Sequence, residues 1–380
     1  MGIYISIFIV FAIFSFYELF TARRKKITIV LKAVVLMVLF SLIVTRGGPY
    51  GDYYAYKDVF EHYTVTDQFF VSRNFVFEPL YSLIQWNCKI IIDNYIFFKA
   101  VIGAIVLYAE HCYARSYINF VYDGKGEASR TGDYYFTIVF FLWGLYKCNV
   151  LFIRSSIALV ICLNAIKYIQ KKNLKKFLFL ILVAAGFHYS AFIFLPAYFI
   201  YQWHGSMIKR MALFACVTVL LSVGFGKAIM LVANMVGGNW GHKLSRYFEI
   251  DSLAYGVYST GSASFLMFWL RILLNIGVLI FAGLYLCSQN RKDRYLEGYF
   301  NLYLVGSALY IGSLLQVGYA FARISIYYNV AQIPMLMSFF QKSRYSKSNR
   351  VVHWIVLSVY LFARFYINTV DEPFIPFWIT

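Results

Sequence analysis

Apolar residues run through this chain in stretches of about 15 to 25, broken by short polar segments that hold most of the Lys and Arg. Crossing a hydrocarbon core of about 30 Å takes roughly 20 apolar residues as a helix. Stretches of that order predict spans at 3–22, 27–45, 95–113, 134–152, 154–170, 174–188, 190–204, 208–226, 263–287, 296–316, 321–341 and 351–367. The segment 78–92 is apolar but short, and reads as a re-entrant or interfacial helix. The fold class expected is all-α: a polytopic integral membrane protein of about 12 transmembrane helices plus that short helix.

Orientation follows from the basic clusters: Arg23 to Lys26, Arg115 to Arg130, Lys171-Lys172 with Lys175-Lys176, Lys209-Arg210, Arg291 to Arg294, and Lys342 to Arg350. Cytoplasmic loops collect Lys and Arg, so all six are assigned inside. An even number of crossings between consecutive clusters then puts both termini outside. Counting 78–92 as a span would export the Arg115 to Arg130 cluster, and fusing 174–188 with 190–204 would export three others. Two sizeable outer loops result, 46–77 and 227–262. With no internal repeat and no Pro-rich linker, residues 1–380 are expected to form a single transmembrane domain.

Composition agrees, with 61% hydrophobic and 14% charged residues. A soluble domain cannot bury that much apolar surface, so lipid must be the solvent. The formal charge of +18 would suit nucleic acid, but its scatter among short loops fits topology signals at an anionic lipid surface instead. No nucleic-acid partner is expected. The six cysteines lie in or beside apolar runs without a CxxC pair, which suggests neither a disulfide framework nor a zinc site. HExxH, GxSxG, P-loop and dinucleotide patterns are absent, so no metal and no cofactor is expected.

A charged side chain at membrane depth costs several kcal/mol, about 3 on insertion scales, and each one needs a reason to be there. Arg154 stands at a helix start, where it opposes the positive end of the dipole. Arg323 lies near the outer end of an apolar helix, and Arg271 lies within another. Arg46 and Arg246 sit in the loops. Guanidinium groups bind phosphate oxygens in pairs of hydrogen bonds and stay charged when partly buried, as pyrophosphate recognition requires. The plain alternative for each is snorkelling to headgroups or pairing with a carboxylate.

Acidic residues number only 17, and Asp52, Asp58, Glu61 and Asp67 gather in the first outer loop with Glu78 after them. Asp52 or Glu78 can take a proton from an attacking hydroxyl, although Glu78 beside Pro79 also suits an ordinary helix start. His188, where two short helices should meet, is a further candidate general base, or a polar bridge between helices. The 34 tyrosines are enough to do more than form interfacial belts, and the cluster around Tyr53 and Tyr54 is suited to stacking on sugar faces, although ordinary interfacial anchoring explains most of them.

The order of motifs carries a family resemblance. It runs from Arg46-Gly47-Gly48 and Gly51-Asp52-Tyr53-Tyr54 with Tyr56, through Phe77-Glu78-Pro79-Leu80-Tyr81 and Phe152-Ile153-Arg154-Ser155-Ser156. It continues with Phe187-His188-Tyr189-Ser190, Arg323-Ile324-Ser325-Ile326-Tyr327-Tyr328 and Pro373-Phe374-Ile375-Pro376-Phe377. Together these resemble the EpsG-type, Wzy-like polysaccharide polymerases of bacterial envelopes.

The resemblance implies a metal-independent glycosyltransferase of the inner membrane. It would join undecaprenyl-pyrophosphate-linked oligosaccharide repeats into O-antigen or exopolysaccharide at the outer face, without a cofactor. Arg154, Arg323, Arg271, Arg246 and Arg46 would then hold pyrophosphate; His188, Asp52 or Glu78 would activate the acceptor; Tyr53, Tyr54, Tyr189 and Tyr327 would contact sugar. Partners would be the lipid-linked donor and acceptor, membrane lipids and a chain-length regulator. Two other readings are a polytopic transferase using a polyprenyl-phosphate sugar, and a flippase or transporter of the same lipid-linked glycan. Against the transporter, the polar residues crowd the outer side rather than the midplane.

The topology is testable by fusing a reporter that is active only in the cytoplasm. Fusions after Lys26 and Lys172 should be active and those after Tyr50 and Asn239 silent, and the reverse pattern would invert the assignment.

Overall fold

The computed structural model describes residues 2–20, 25–47, 53–62, 77–122, 135–146, 153–223, 231, 234–235, 237–238, 262–288, 293–315, 324–342, 347–369 and 375–376. In chain order its helices are α1 (Gly2–Phe20), α2 (Lys25–Thr45), α3 (Tyr53–His62), α4 (Pro79–Ile91), α5 (Tyr95–Tyr122), α6 (Tyr135–Tyr146), α7 (Ile153–Gln170) and α8 (Leu174–Phe187). A 3-10 helix (Tyr189–Phe194) follows, then α9 (Ala197–Gln202), α10 (Met207–Val223), α11 (Ser262–Ser288), α12 (Arg294–Leu315), α13 (Ile326–Asn329), α14 (Gln332–Lys342) and α15 (Lys347–Thr369). Strands β1 (Arg46–Gly47) and β2 (Ile375–Pro376) form a two-stranded antiparallel pair.

The protein is an all-α membrane protein. Gly2–Phe20, Thr28–Thr45, Tyr95–Arg115 and Leu266–Ser288 are long and apolar enough to cross a bilayer, while Tyr135–Leu145 and Val351–Ile367 are apolar but shorter. Two compact units compose the chain, Met1–Phe192 with Lys342–Thr380, and Ile193–Gln341.

In the first unit an aromatic seam joins α1, α6 and α15. Phe8 lies 5.1 Å from Phe365 and 5.0 Å from Phe140, and Phe11 meets Trp143 edge-on at 5.7 Å. Edge-to-face pairs of this kind add about 1 kcal/mol each beyond the area they bury. Between α7 and α8, buried Ala158, Ala165, Ala184 and Ala185 permit close packing. The turn joining these two helices uses Lys172 in the left-handed region (φ 52°), and the Asn173 side chain caps α8 by accepting from Lys176 N–H.

Contacts in this unit sort its helix ends into two sets. At one end the buried Glu18 carboxylate accepts from Phe136 N–H at 3.3 Å, Thr137 N–H at 2.9 Å and the Thr137 hydroxyl at 2.8 Å. Those are first-turn donors of α6 that the helix itself cannot satisfy, and the negative charge suits the dipole there. Lys32 of α2 stands over the Tyr135 ring, and Trp354 of α15 reaches Ser15 of α1. At the far end of α2, Lys99 of α5 donates to the Arg46 carbonyl at 2.9 Å, and Arg46 pairs with Pro376. The basic clusters assign these same two sets to opposite sides of the membrane.

In the second unit, Glu297 in the first turn of α12 lies 3.5 Å from Arg210 Nη2 and 3.2 Å from His204 Nδ1. Asp293 caps the same helix by accepting from Tyr295 and Leu296 N–H. A side chain at Gly306 would run into Asn329, so α12 and α13 touch through backbone.

Several expectations change. The span at 190–204 is not one α-helix: Pro196, which lacks an N–H to continue a ladder, separates the 3-10 helix from α9. The span at 321–341 is interrupted at Val330 and Ala331, with Pro334 tolerated in the first turn of α14. The segment 46–77, expected as an outer loop, contains a helix, α3, that apolar periodicity did not announce. The short helix near 78–92 is present as α4, with Pro79 at its first position. The loop 227–262 falls almost wholly outside the described residues.

Replacing Glu18 by Ala should lower the unfolding temperature of the detergent-solubilised protein, because it strands two buried N–H groups at about 1 to 3 kcal/mol each. Glu18→Gln, which keeps an acceptor oxygen, should lose less. Equal melting of all three proteins would remove this cap as a stabilising contact.

Candidate functional site

Four chain segments converge around Arg154. The residue occupies the first turn of α7, and its side chain is only 16% exposed. Glu78 stands at the N-cap of α4, its side chain 8% exposed. Arg154 Nη1 donates to Glu78 Oε2 at 2.7 Å, and Arg154 Nε donates to the Tyr56 hydroxyl at 3.0 Å. The other carboxylate oxygen of Glu78, Oε1, accepts from Tyr189 N–H at 3.3 Å. One carboxylate therefore ties the starts of α4 and α7 to the chain leaving α8.

Aromatic rings box the cation. The guanidinium carbon lies 4.4 Å from the Phe77 ring centroid, 4.9 Å from Tyr56 and 5.8 Å from Tyr81. Their quadrupoles favour the charged form by about 1 to 2 kcal/mol per desolvated contact. These rings belong to a larger cluster with Phe60, Tyr95 and Phe98 that is fully buried in the first unit. The geometry leaves the Nη2 edge of Arg154, with its paired N–H groups, outside its bonds to Glu78 and Tyr56 among the described residues.

Close approach of α4 to α8 makes the arrangement possible. A Cβ at Gly186 would lie 2.6 Å from Leu80 Cδ1, so glycine is required where the two helices meet. Just beyond, His188 ends α8 in an extended conformation (φ −157°). Its Nδ1 accepts from Ser190 N–H at 3.3 Å and contacts the Ser190 hydroxyl. Tyr189 between them has its phenol pKa raised, by partial burial first and by the Glu78 charge second.

The remaining predicted residues are distributed as follows. Arg46 is buried in β1, its carbonyl held by Lys99. Tyr53 packs edge-on against Tyr54 and Tyr95 beneath the Lys99 ammonium, while Tyr54 is 48% exposed. Arg271 is buried in α11 and Tyr327 in α13, both in the second unit. Asp52, Arg246 and Arg323 lie outside the described residues. The structure thus brings Arg154, Glu78, His188 and Tyr189 together and sets Arg46 with Tyr53 beside Lys99. Among the described residues no three His, Cys, Asp or Glu side chains gather as a metal-ligand set.

Sequence reasoning missed Lys99, 1% exposed and caged by Tyr53 and Tyr95 at 5.1 and 5.5 Å. The signal existed: a Lys four residues into the apolar run from Tyr95 breaks the rule that singled out Arg154. The roles of Tyr56, Phe77 and Tyr81 as walls around a cation carried no such signal.

Gly186→Ala should displace α4 and weaken the Glu78 contact to Tyr189, at about 1 to 3 kcal/mol for overpacking. Adding Leu80→Ala should restore part of the loss, read as unfolding temperature in detergent. If the double variant is no better than the single, Leu80 is not what Gly186 makes room for.

No curated protein and no solved structure matches the chain. A family model does match, that of the EpsG family, and it covers residues 30–378, from α2 through β2 and including every residue of the Arg154 site. The chain belongs to the EpsG family.

Proposed function

We propose that this protein polymerises undecaprenyl-pyrophosphate-linked oligosaccharide repeats into O-antigen or exopolysaccharide at the outer face of a bacterial inner membrane, using the full dozen spans. EpsG family membership supports polysaccharide polymerisation as the class of reaction, and the apolar helices support the membrane as its place. The observation that carries the reading is Arg154, a guanidinium boxed by aromatic rings and ion-paired to Glu78 at a helix start.

In this reaction a hydroxyl of the incoming repeat attacks the anomeric carbon of the growing chain. The bond from that carbon to the pyrophosphate oxygen breaks, undecaprenyl pyrophosphate leaves with the electron pair, and the hydroxyl proton passes to a base. Arg154 stabilises the charge developing on the leaving oxygen, an effect that grows toward the transition state. Arg323, Arg271, Arg246 and Arg46 are proposed for the second pyrophosphate. Glu78, with both oxygens already engaged, serves better to fix Arg154 than to abstract a proton, which leaves Asp52 and His188 as proposed bases. Tyr54 and Tyr189, both partly exposed, are the better placed of the proposed sugar contacts, and Tyr53 and Tyr327 the more enclosed. Donor and acceptor glycolipids and a chain-length regulator are the proposed partners.

The test is gel analysis of surface polysaccharide after deletion and complementation. Wild type should restore a ladder, and Arg154→Ala should cut its yield by about 100-fold. Arg154→Lys should recover little, since the ammonium lacks the planar fork. A ladder unchanged by deletion would remove the polymerase reading. A single shift in product size would indicate a one-sugar transferase, and complete loss of the glycan a flippase.

A further inference from the structure

Buried polar groups in a folded chain nearly always have hydrogen-bond partners, and the inner face of α4 departs from this. The Tyr81 hydroxyl, on a residue 0% exposed, and both amide atoms of Gln85, 2% exposed, bond to no group among the described residues. Four positions apart on one helix, the two side chains stand one above the other on the same face.

Their surroundings are aromatic. Tyr81 lies among the rings of Tyr56 at 5.7 Å, Phe77 at 5.5 Å and Phe98 at 5.4 Å, all in one buried cluster. The ends of α4, by contrast, are tied by polar contacts. Glu78 holds its start to Arg154 and to Tyr189 N–H, and Lys89 in its last turn donates to the Glu61 carbonyl of α3 at 3.0 Å. Its outer face is apolar, with Leu83, Ile90 and Ile91 exposed. A short helix fastened at both ends and unsatisfied between them is held where its own polar side chains do not favour it.

The inner face has a definite chemistry. An amide sets a donor beside an acceptor, a phenol hydroxyl is both, and neither carries charge. With ring faces next to them, such groups match a sugar, whose hydroxyls donate and accept and whose C–H face packs on aromatics. A phosphate would ask for cations, and a lipid tail for no polar group at all.

We propose that Tyr81 and Gln85 form a sugar-binding site on the inner face of α4, closed in this state and opened when a substrate phosphate takes the place of Glu78 on Arg154. This role rests on the polymerase reading and deepens it by naming residues that hold the glycan beside its pyrophosphate. A phosphate oxygen carries the charge of the carboxylate oxygen that it replaces, so the exchange keeps the guanidinium paired while Glu78 is released from its cation. The helix then shifts away from Phe98, and the three polar atoms bond hydroxyls of the sugar next to the phosphate. Those bonds exist only in the open state, which supplies the difference in affinity that any such shift requires.

Replacing an unpartnered buried polar group by an apolar one of similar shape removes a desolvation cost. Gln85→Met and Tyr81→Phe should therefore raise the unfolding temperature of the detergent-solubilised protein by about 1 to 3 °C. In the deletion strain, at equal insertion by immunoblot, each should cut ladder yield about tenfold. Opposite signs are the signature, since a residue that only supports the fold loses stability and yield together. Undecaprenyl pyrophosphate without sugar should raise the unfolding temperature of wild type and both variants equally, whereas the lipid-linked repeat should raise that of wild type more.

A full ladder from both variants would overturn the proposal, as would melting temperature and yield falling together. Equal protection of wild type and variants by the lipid-linked repeat would overturn it too. Where Gln85→Met fails to insert, Tyr81→Phe, which removes a single oxygen atom, decides by the same readings. A wild type that restores no ladder sinks the polymerase reading itself, whereas a wild-type ladder with undiminished variants sinks only the sugar site.

Discussion

A guanidinium in the first turn of a helix faces the positive end of the dipole, and Arg154 is held there by a carboxylate 2.7 Å away. The site depends on that pairing. Glu78 can reach Arg154 only because Pro79 starts α4 directly behind it and because α4 is drawn onto α8 at Gly186. The same carboxylate then catches Tyr189 N–H, which sets the path of the chain out of α8. Pairs this buried contribute little net stability, since desolvation offsets most of the attraction. Breaking one by removing a single partner is far more costly, so the contact is better understood as fixing where four chain segments meet.

The aromatic surroundings change how the tyrosines are understood. Tyr56, Phe77 and Tyr81 spend their faces on the guanidinium, and Phe60, Tyr95 and Phe98 fill the space behind them. Tyr53 is turned toward Tyr95 and Lys99. The rings of Tyr56, Phe77 and Tyr81 form a low-dielectric housing for a cation. Such a housing strengthens the charge-assisted hydrogen bonds of Arg154, because less water competes for them.

Much of this was legible in the sequence, and the parts that were not share a cause. Helix positions followed from apolar run length, and Arg154 and His188 stood out because charge and imidazole are expensive in lipid. Even Pro79 announced the start of α4. The partnership of Arg154 with Glu78 did not show, because nothing local links positions 76 residues apart. The β1–β2 pair joins Arg46 to Pro376 across nearly the whole chain and was hidden for the same reason, though both motifs had been noticed singly. Lys99 was overlooked because a loop-proximal Lys passes for a topology signal until its burial is seen. The break within 190–204 comes from Pro196, which a hydropathy pattern does not weigh.

Two arguments that do not share premises sort the helix ends of the first unit. Basic clusters sort the loops by the cost of exporting Lys and Arg. Contacts within the first unit sort helix ends by who touches whom, with Glu18, Lys32, Tyr135 and Trp354 at one end and Arg46, Lys99 and β2 at the other. Both partitions agree. The Arg154 site shares one aromatic cluster with Tyr95, four residues before Lys99, which places it with the second set. The proposed reaction on exported lipid-linked glycan would need its phosphate-binding groups at the end away from the basic clusters, and Arg154, Glu78 and His188 lie with the second set of helix ends.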